Sequence, residues 1–329
     1  TINRNSPPGF QWDRPTPSTF QEAPMLAGLV SSGKLPAVEE RLPVPSDVMV
    51  FPVVDRIGDY GGTWRRGFTG PNDMQNVERI LHDHVIYYDL DGATLMPHIV
   101  KGWDVSSDGK VYTFHLREGA KWSDGAPFTA EDFVFANEAF LMDTEMNPDK
   151  NGKQGYTEHA PIVTAPDANT VKWTLPAAAP GLLDDLGGIQ IAGPAQGGFE
   201  GHGPYHPAHY LKQFHPKWGD QAEIDAAMAA DGFDNWPLFF KTKASVHRNP
   251  DLPVMAPWKL VTPNTTQQWV LERNPYYWAV DPEGNQLPYI DRIVLTLAGE
   301  KEVLNLRTIA GDYDFQHRHI DLAKVPTFN

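Results

Sequence analysis

Proline and glycine are the residues that most constrain how this chain can fold. Its 329 residues include 30 prolines and 28 glycines, and eight of the prolines fall within the first 50 residues. Proline interrupts helices and central strands, and glycine marks tight turns. This spacing predicts many short elements joined by fixed turns and argues against a bundle of long helices. We expect residues 1 to about 50 to be largely extended against a larger body.

Composition and charge narrow the class of protein. Hydrophobic residues make up 41% of the chain, as in ordinary soluble proteins, and no apolar run approaches the roughly 20 residues that span a bilayer. The net charge of −15 argues against binding to nucleic acid or to an anionic membrane surface. The chain has no cysteine, which excludes disulfides and thiolate catalysis and suits an oxidising compartment. Thr1 is not a natural start, so we expect a processed or trimmed chain.

The order of elements predicts a mixed α/β fold with several hairpins. Alternating residues on both sides of Ser107-Asp108-Gly109 predict one hairpin, and Pro166-Asp167-Ala168-Asn169 predicts another. Between them, Thr129 is expected to cap a helix, with Asp132 at the third position of a capping box. Strands and helices do not alternate regularly, so a repeated βαβ array is not expected.

One long motif carries a family resemblance. Residues 116–133 read LREGAKWSDGAPFTAEDF, a strand, a glycine turn, a tryptophan-anchored turn and a capped helix. The segment resembles the family 5 solute-binding proteins, which are the oligopeptide, dipeptide, nickel and oligosaccharide receptors of ABC importers. The segments at 60–65, 274–278 and 280–291 are also similar to this family, and the last of them resembles an oligosaccharide-receptor subgroup. The place of 116–133 in turns and caps indicates an architectural role.

The resemblance implies a periplasmic-binding-protein-like type II fold with two lobes and an inserted domain. We expect a first lobe from 1–70 plus 180–290, an inserted mixed α/β domain from 71–179, and the start of a second lobe at 291–329. Members of this family are longer, so the C-terminal lobe is expected to be largely missing, by truncation or proteolysis.

The resemblance also implies a function. It implies capture of an oligopeptide or a short oligosaccharide by hinge closure, and delivery to the permease subunits of an ABC importer. The protein would be a periplasmic or extracellular monomer without a cofactor and without enzymatic activity. Lipid anchoring before trimming is left open, and the sequence does not separate a peptide ligand from a sugar.

Ligand-binding candidates are aromatic and polar residues at the ends of predicted strands. Trp64 and Trp258 are expected to face the cleft, where a tryptophan face can stack on a sugar ring or a peptide side chain. Arg65, Phe68 and Asn72 belong to the stretch after the strand that begins at Thr63, and such loops often carry binding sites. Trp122, Trp269 and Trp278 lie within structural motifs and are expected in the core instead.

Parts of the sequence suggest three other kinds of site: a calcium site, a transition-metal site and a catalytic pair of carboxylates. Residues 147–158 copy the spacing of a calcium-binding EF-hand loop, but Asn147 and Pro148 fit it poorly, so a polar surface loop is expected. Histidines at 82 and 84, at 202, 206 and 209, and at 317 and 319 suggest a nickel-type receptor as an alternative. A sugar-acting enzyme would need facing carboxylates, whereas the neighbours Asp184 and Asp185 point different ways. No catalytic residue and no metal ligand is therefore predicted.

Overall fold

The computed structural model describes residues 15–53, 55–78, 80–81, 83–89, 91–146, 161–188 and 203–327. Across these residues the strands are β1 Met49–Val50, β2 Thr63–Phe68, β3 Ile86–Tyr88, β4 Leu95–Pro97, β5 Val100–Val105, β6 Val111–Leu116, β7 Ile162–Asp167, β8 Thr170–Thr174, β9 Trp258–Thr262, β10 Gln268–Arg273, β11 Ala279–Val280 and β12 Arg292–Leu297. The α-helices are α1 Ala27–Ser31, α2 Val38–Arg41, α3 Gln75–Glu78, α4 Ala130–Ala136, α5 Leu182–Gly187, α6 Ala208–Leu211, α7 Gln221–Asp231, α8 Trp236–Lys243 and α9 Lys301–Ile309. The predicted mixed α/β character is confirmed.

Two four-stranded sheets dominate the structure. The first has the order β5-β6-β8-β7 and is antiparallel throughout. Both hairpins predicted from sequence are present in it, because β5 pairs with β6 and β7 pairs with β8. Its inner face joins a core that includes Trp103, Phe114 and Trp173, each at most 4% exposed.

The second sheet positions the candidate site. Its order is β2-β12-β10-β9; β2 runs parallel to β12, and the other neighbours are antiparallel. Strand β12 was assigned to the second lobe from sequence, yet it lies inside this sheet between β2 and β10. The domain boundaries remain a prediction, and the sheet favours a first-lobe boundary after Leu297 rather than at 290.

The motif at 116–133 forms a buried contact between a turn, the start of α4 and the start of α6. Trp122 is 0% exposed, and its indole N–H donates to Asp132 Oδ2 at 3.1 Å. The same carboxylate accepts the backbone N–H groups of Thr129 at 2.9 Å and of Ala208 at 3.0 Å. Burial raises the pKa of Asp132 to about 6, although these donors favour the charged form. The contacts agree with an architectural role, because one carboxylate ties the helix cap, the turn and α6 together.

Several segments weighed from sequence fall outside the described residues. The calcium-like loop 147–158, His82, His202 and most of the glycine-rich stretch 187–203 are among them. Within the described ranges, no helix has the length and apolar character needed to cross a membrane. The same ranges hold no group of three or more His, Asp or Glu side chains that could bind a metal ion.

Candidate functional site

Strand β2 is an edge strand, and its side chains alternate between two environments. Phe68 is 0% exposed, and its ring meets Trp269 edge-on at 5.8 Å between centroids. Trp64 lies on the same side and is only partly buried, whereas Arg65 on the opposite side is exposed. The strand therefore passes from the protein surface at Trp64 into the core at Phe68.

The free edge of β2 is covered by residues 312–319, which we call the crossover segment. The backbone N–H of Asp314 donates to Arg65 O at 3.0 Å, and the backbone N–H of Arg65 donates to Asp314 Oδ2 at 2.7 Å. One residue pair further along, Gly67 N–H donates to Gln316 Oε1 at 3.0 Å. A β-carbon at Gly67 would lie 2.6 Å from the ring of Tyr313. A side chain at position 67 would therefore require the Tyr313 ring to move. The hydrogen bonds from this segment satisfy edge groups of β2 that would otherwise face solvent.

The crossover segment brings a second aromatic ring to Trp64. The rings of Trp64 and Phe315 lie 5.4 Å apart at an interplanar angle of 33°, and Phe315 is 45% exposed. The buried guanidinium of Arg66 lies 5.9 Å from the Trp64 ring centroid and 5.3 Å from that of Phe315. Burial lowers the pKa of Arg66 to about 10, and the charge of Asp73 acts in the opposite direction. The result is an aromatic pair, open to solvent on one side and backed by a buried cation.

A charged pair lies on the other side of β2 from the aromatic pair, because neighbouring side chains of a strand point to opposite faces. Arg65 Nη2 contacts Asp314 Oδ1 at 2.6 Å, Arg65 Nε contacts Oδ2 at 3.1 Å, and the side chains are 54% and 36% exposed. Hydrogen bonds from the Arg65 side chain and then from its backbone hold the pKa of Asp314 below its usual value. The edge of β2 therefore carries planar donors and acceptors on one face and an aromatic pair on the other. The aromatic pair can stack on an apolar group, and the exposed charged pair can hydrogen-bond a hydroxyl or peptide group at the same edge.

Trp258 and Phe68, which were also predicted from sequence to bind ligand, are not part of the exposed group around Trp64 and Arg65. Trp258 lies on β9, three strands from β2, which is about 14 Å at the usual strand spacing. It is 9% exposed, and its indole N–H donates to Ile290 O at 2.9 Å. Phe68 is a core side chain. We therefore carry neither ring into the site, because both are occupied by packing in this structure.

Asn72 is exposed in the turn that follows β2. Its neighbour Asp73 makes the important contacts of that turn, since its carboxylate accepts hydrogen bonds from Arg318 Nε and His319 Nε2, both at 2.9 Å. Sequence reasoning missed Asp73, Asp314 and Phe315. The available signal was the alternation of charged and aromatic residues directly after α9.

Both the sequence and the fold of this chain are similar to those of known proteins. The family model for bacterial extracellular solute-binding proteins, family 5 (middle), matches residues 94–328. The periplasmic alpha-galactoside-binding protein of Rhizobium meliloti (strain 1021) is 32% identical in an alignment of 310 positions that covers 84% of this chain and 40% of that protein.

Two solved structures are similar over nearly the whole chain. An oligopeptide-binding protein OppA superposes with a TM-score of 0.85 and 38% identity, covering 94% of this chain and 47% of its own. The periplasmic binding protein MelB of Agrobacterium fabrum C58, in complex with stachyose, gives a TM-score of 0.70 and 26% identity and covers 96% and 48%. The chain thus spans less than half the length of these relatives.

These findings test the predictions from sequence. The family and the fold are confirmed, because the family model covers more than half of the chain and the OppA structure superposes over nearly all of it. The matched family and two of the relatives are named as extracellular or periplasmic binding proteins, which is the class of protein that the sequence predicted. The chain belongs to the family 5 bacterial extracellular solute-binding proteins.

Proposed function

We propose that this chain is part of the substrate-binding component of a bacterial ABC importer. It would capture an oligopeptide or a short oligosaccharide between two lobes and deliver it to the membrane permease as a monomer. The names of the relatives support this range of ligands, since one binds alpha-galactosides, one is an oligopeptide-binding protein and one holds stachyose. Closure about a hinge would exclude water and strengthen polar contacts to the ligand.

The observation that carries the proposal is the aromatic pair of Trp64 and Phe315, which faces solvent at the edge of β2. Phe315 keeps 45% of its surface exposed next to the Trp64 ring, so the two rings present an apolar face to solvent. Stacking on a sugar ring or an aromatic peptide side chain would cover it. Arg65 and Asp314, on the other face of the same edge, would hydrogen-bond only a ligand that extends around the strand.

The proposed site is at the crossover from the first lobe. Residues 312–319 follow α9 and pack against the edge strand of the second sheet. A ligand bound there would contact residues of the first lobe and residues that lead into the second. We infer that the first lobe comprises 1–70 and 180 to about 297, with 71–179 as the inserted domain. The later residues would begin the second lobe.

Isothermal titration with stachyose, with a tripeptide that carries a central phenylalanine, and with nickel would test the proposal. We expect heat from stachyose or the tripeptide, and at least a tenfold weaker affinity in the Phe315→Ala and Trp64→Ala variants, because each loses the stacking partner.

Trp218→Ala is the matched control. Trp218 is also partly buried beside a cation, with Lys217 Nζ 4.6 Å from its ring centroid, but it lies outside the proposed site. Unchanged affinity in Phe315→Ala, or an equal loss in Trp218→Ala, would contradict the proposed site. Heat from nickel alone would favour the metal-receptor alternative.

A further inference from the structure

Asp73 lies where the turn after β2 meets the crossover segment. Its side chain is 3% exposed. Oδ2 accepts hydrogen bonds from the backbone N–H of Thr69 at 3.0 Å and from Asn76 Nδ2 at 2.6 Å, within its own turn. Oδ1 accepts from Arg318 and His319, each at 2.9 Å. One buried carboxylate therefore divides its two oxygens between the turn after β2 and the crossover segment.

The crossover segment is held from its other side by α9. Asn305, which is 2% exposed, donates from Nδ2 to His319 O at 2.8 Å and accepts the backbone N–H of Asp321 at 2.8 Å. Between these two anchors His319 has a φ of 62°, the left-handed region that a residue with a β-carbon rarely adopts. The surrounding contacts stabilise this conformation, because it is unfavourable for the backbone of most residues other than glycine.

The same carboxylate acts on the proposed binding face through charge. Arg66 is 0% exposed and lies beneath Trp64 and Phe315, and Asp73 supplies an opposing charge to its guanidinium. Removing the carboxylate would take away an opposing charge from both Arg66 and Arg318. Both the aromatic pair and the ion pair at Asp314 depend on the position of this segment.

We propose that Asp73 is a positioning residue for the ligand-binding face: through Arg318 and His319 it fixes the crossover segment so that Asp314 and Phe315 lie against β2. The proposal rests on the proposed function for its consequence in binding, but the geometry can be tested without a ligand. Asp73 itself does not contact the ligand. Its role is to set where the segment that carries Phe315 lies.

Amide hydrogen exchange tests the proposal, measured residue by residue on the isosteric variant Asp73→Asn of the 329-residue chain. We expect exchange of the Gly67 and Asp314 amides to become at least tenfold faster, while the core amides of Leu271 and Val294 change less than twofold. Affinity for stachyose or the tripeptide should fall at least fivefold. Arg318→Gln should reproduce part of the effect, and the double variant should exchange no faster than Asp73→Asn.

Asp47→Asn is the control, because it removes a carboxylate of matched burial that lies away from the crossover segment. Asp47 is 6% exposed and accepts from Lys101 Nζ at 2.7 Å and from the Glu118 N–H at 2.8 Å. It should leave the Gly67 and Asp314 amides within twofold of wild type. The proposal is overturned if Asp73→Asn leaves those two amides unchanged, or if it accelerates the core amides equally. If the wild-type chain binds neither ligand, the proposed function fails, while the exchange data still decide the role of Asp73.

Discussion

His98 offers a test of how burial controls stability against acid. Its ring is 3% exposed, and its Nδ1 lies 3.0 Å from the backbone oxygen of His84, to which the neutral ring donates. Phe51, Tyr87 and Trp278 surround it edge-on at 4.6–5.9 Å between centroids. Burial lowers the pKa of His98 from 6.5 to about 3, because this site does not solvate an imidazolium.

The sign of the effect follows from proton binding. Between these two pKa values the unfolded chain binds a proton at His98 and the folded chain does not, so stability falls as the pH falls below 6.5. From pH 7 to pH 5 the loss is about 1.4 kcal/mol per pH unit over roughly 1.5 units, or about 2 kcal/mol. His84, whose pKa burial lowers to about 4, should add a similar loss. Burial raises the pKa of Asp83 and Asp132, so their contributions have the opposite sign.

The variant His98→Asn isolates one contribution. The asparagine amide can occupy the place of Nδ1 and donate to the same carbonyl, but it does not titrate. We expect its free energy of unfolding to fall by about 2 kcal/mol less than that of wild type between pH 7 and pH 5. The cavity left by the smaller side chain lowers stability equally at both pH values. Urea unfolding followed by tryptophan fluorescence at pH 5, 6 and 7 measures the difference.

Val100→Ala is the control for the cavity. Val100 is 0% exposed and does not titrate, so its variant should give a curve parallel to wild type at every pH. The reasoning is refuted if the His98→Asn curve also runs parallel to wild type. An NMR titration that places the His98 pKa above 5 in the folded protein would refute it independently.

Two further predictions concern helix ends and turns. Asp220 caps α7, because its Oδ1 accepts two backbone N–H groups of the first turn at 2.9 and 3.1 Å. In urea unfolding, Asp220→Ala should lower the free energy of unfolding by about 1 kcal/mol, whereas Asp220→Ser should keep most of it. Gly284 has a φ of 86°, and an added β-carbon would overlap the carbonyl oxygen of Thr19. Gly284→Ala should therefore lower the melting temperature clearly more than Gly232→Ala, since Gly232 has a similar φ of 77° but open space around it. Equal losses at the two glycines would contradict the predicted overlap.

Local sequence signals predicted the parts of the structure that short-range physics determines. The hairpins β5–β6 and β7–β8 are present because turn residues and alternating hydrophobicity act over a few residues. The capped helix α4 was predicted because Thr129 and Asp132 satisfy amides within one helical turn. The motif that contains them also indicated the family, as a contiguous segment whose spacing is visible in the sequence.

Long-range packing decided the rest. No local pattern indicates that β2 pairs in parallel with β12, because the two strands are joined only in the folded sheet. That pairing makes β2 an edge strand and buries Phe68, while Trp258 lies on the opposite edge strand. Both residues were predicted to bind ligand, Trp258 because it was expected to face the cleft and Phe68 because of its place near a strand end. Residue type and strand position do not specify which face the core covers.

The candidate site shows the same division. From sequence alone, Trp64 and Arg65 could be named as an aromatic and a charged residue on a strand, with no partner for either. Their partners Phe315 and Asp314 lie about 250 positions away in the chain and reach them only through the crossover segment. The sequence by itself determined the family, the hairpins and the capped motif, because these depend on neighbouring residues. Tertiary structure decided which side chains form the site, because burial and sheet pairing are properties of the whole fold.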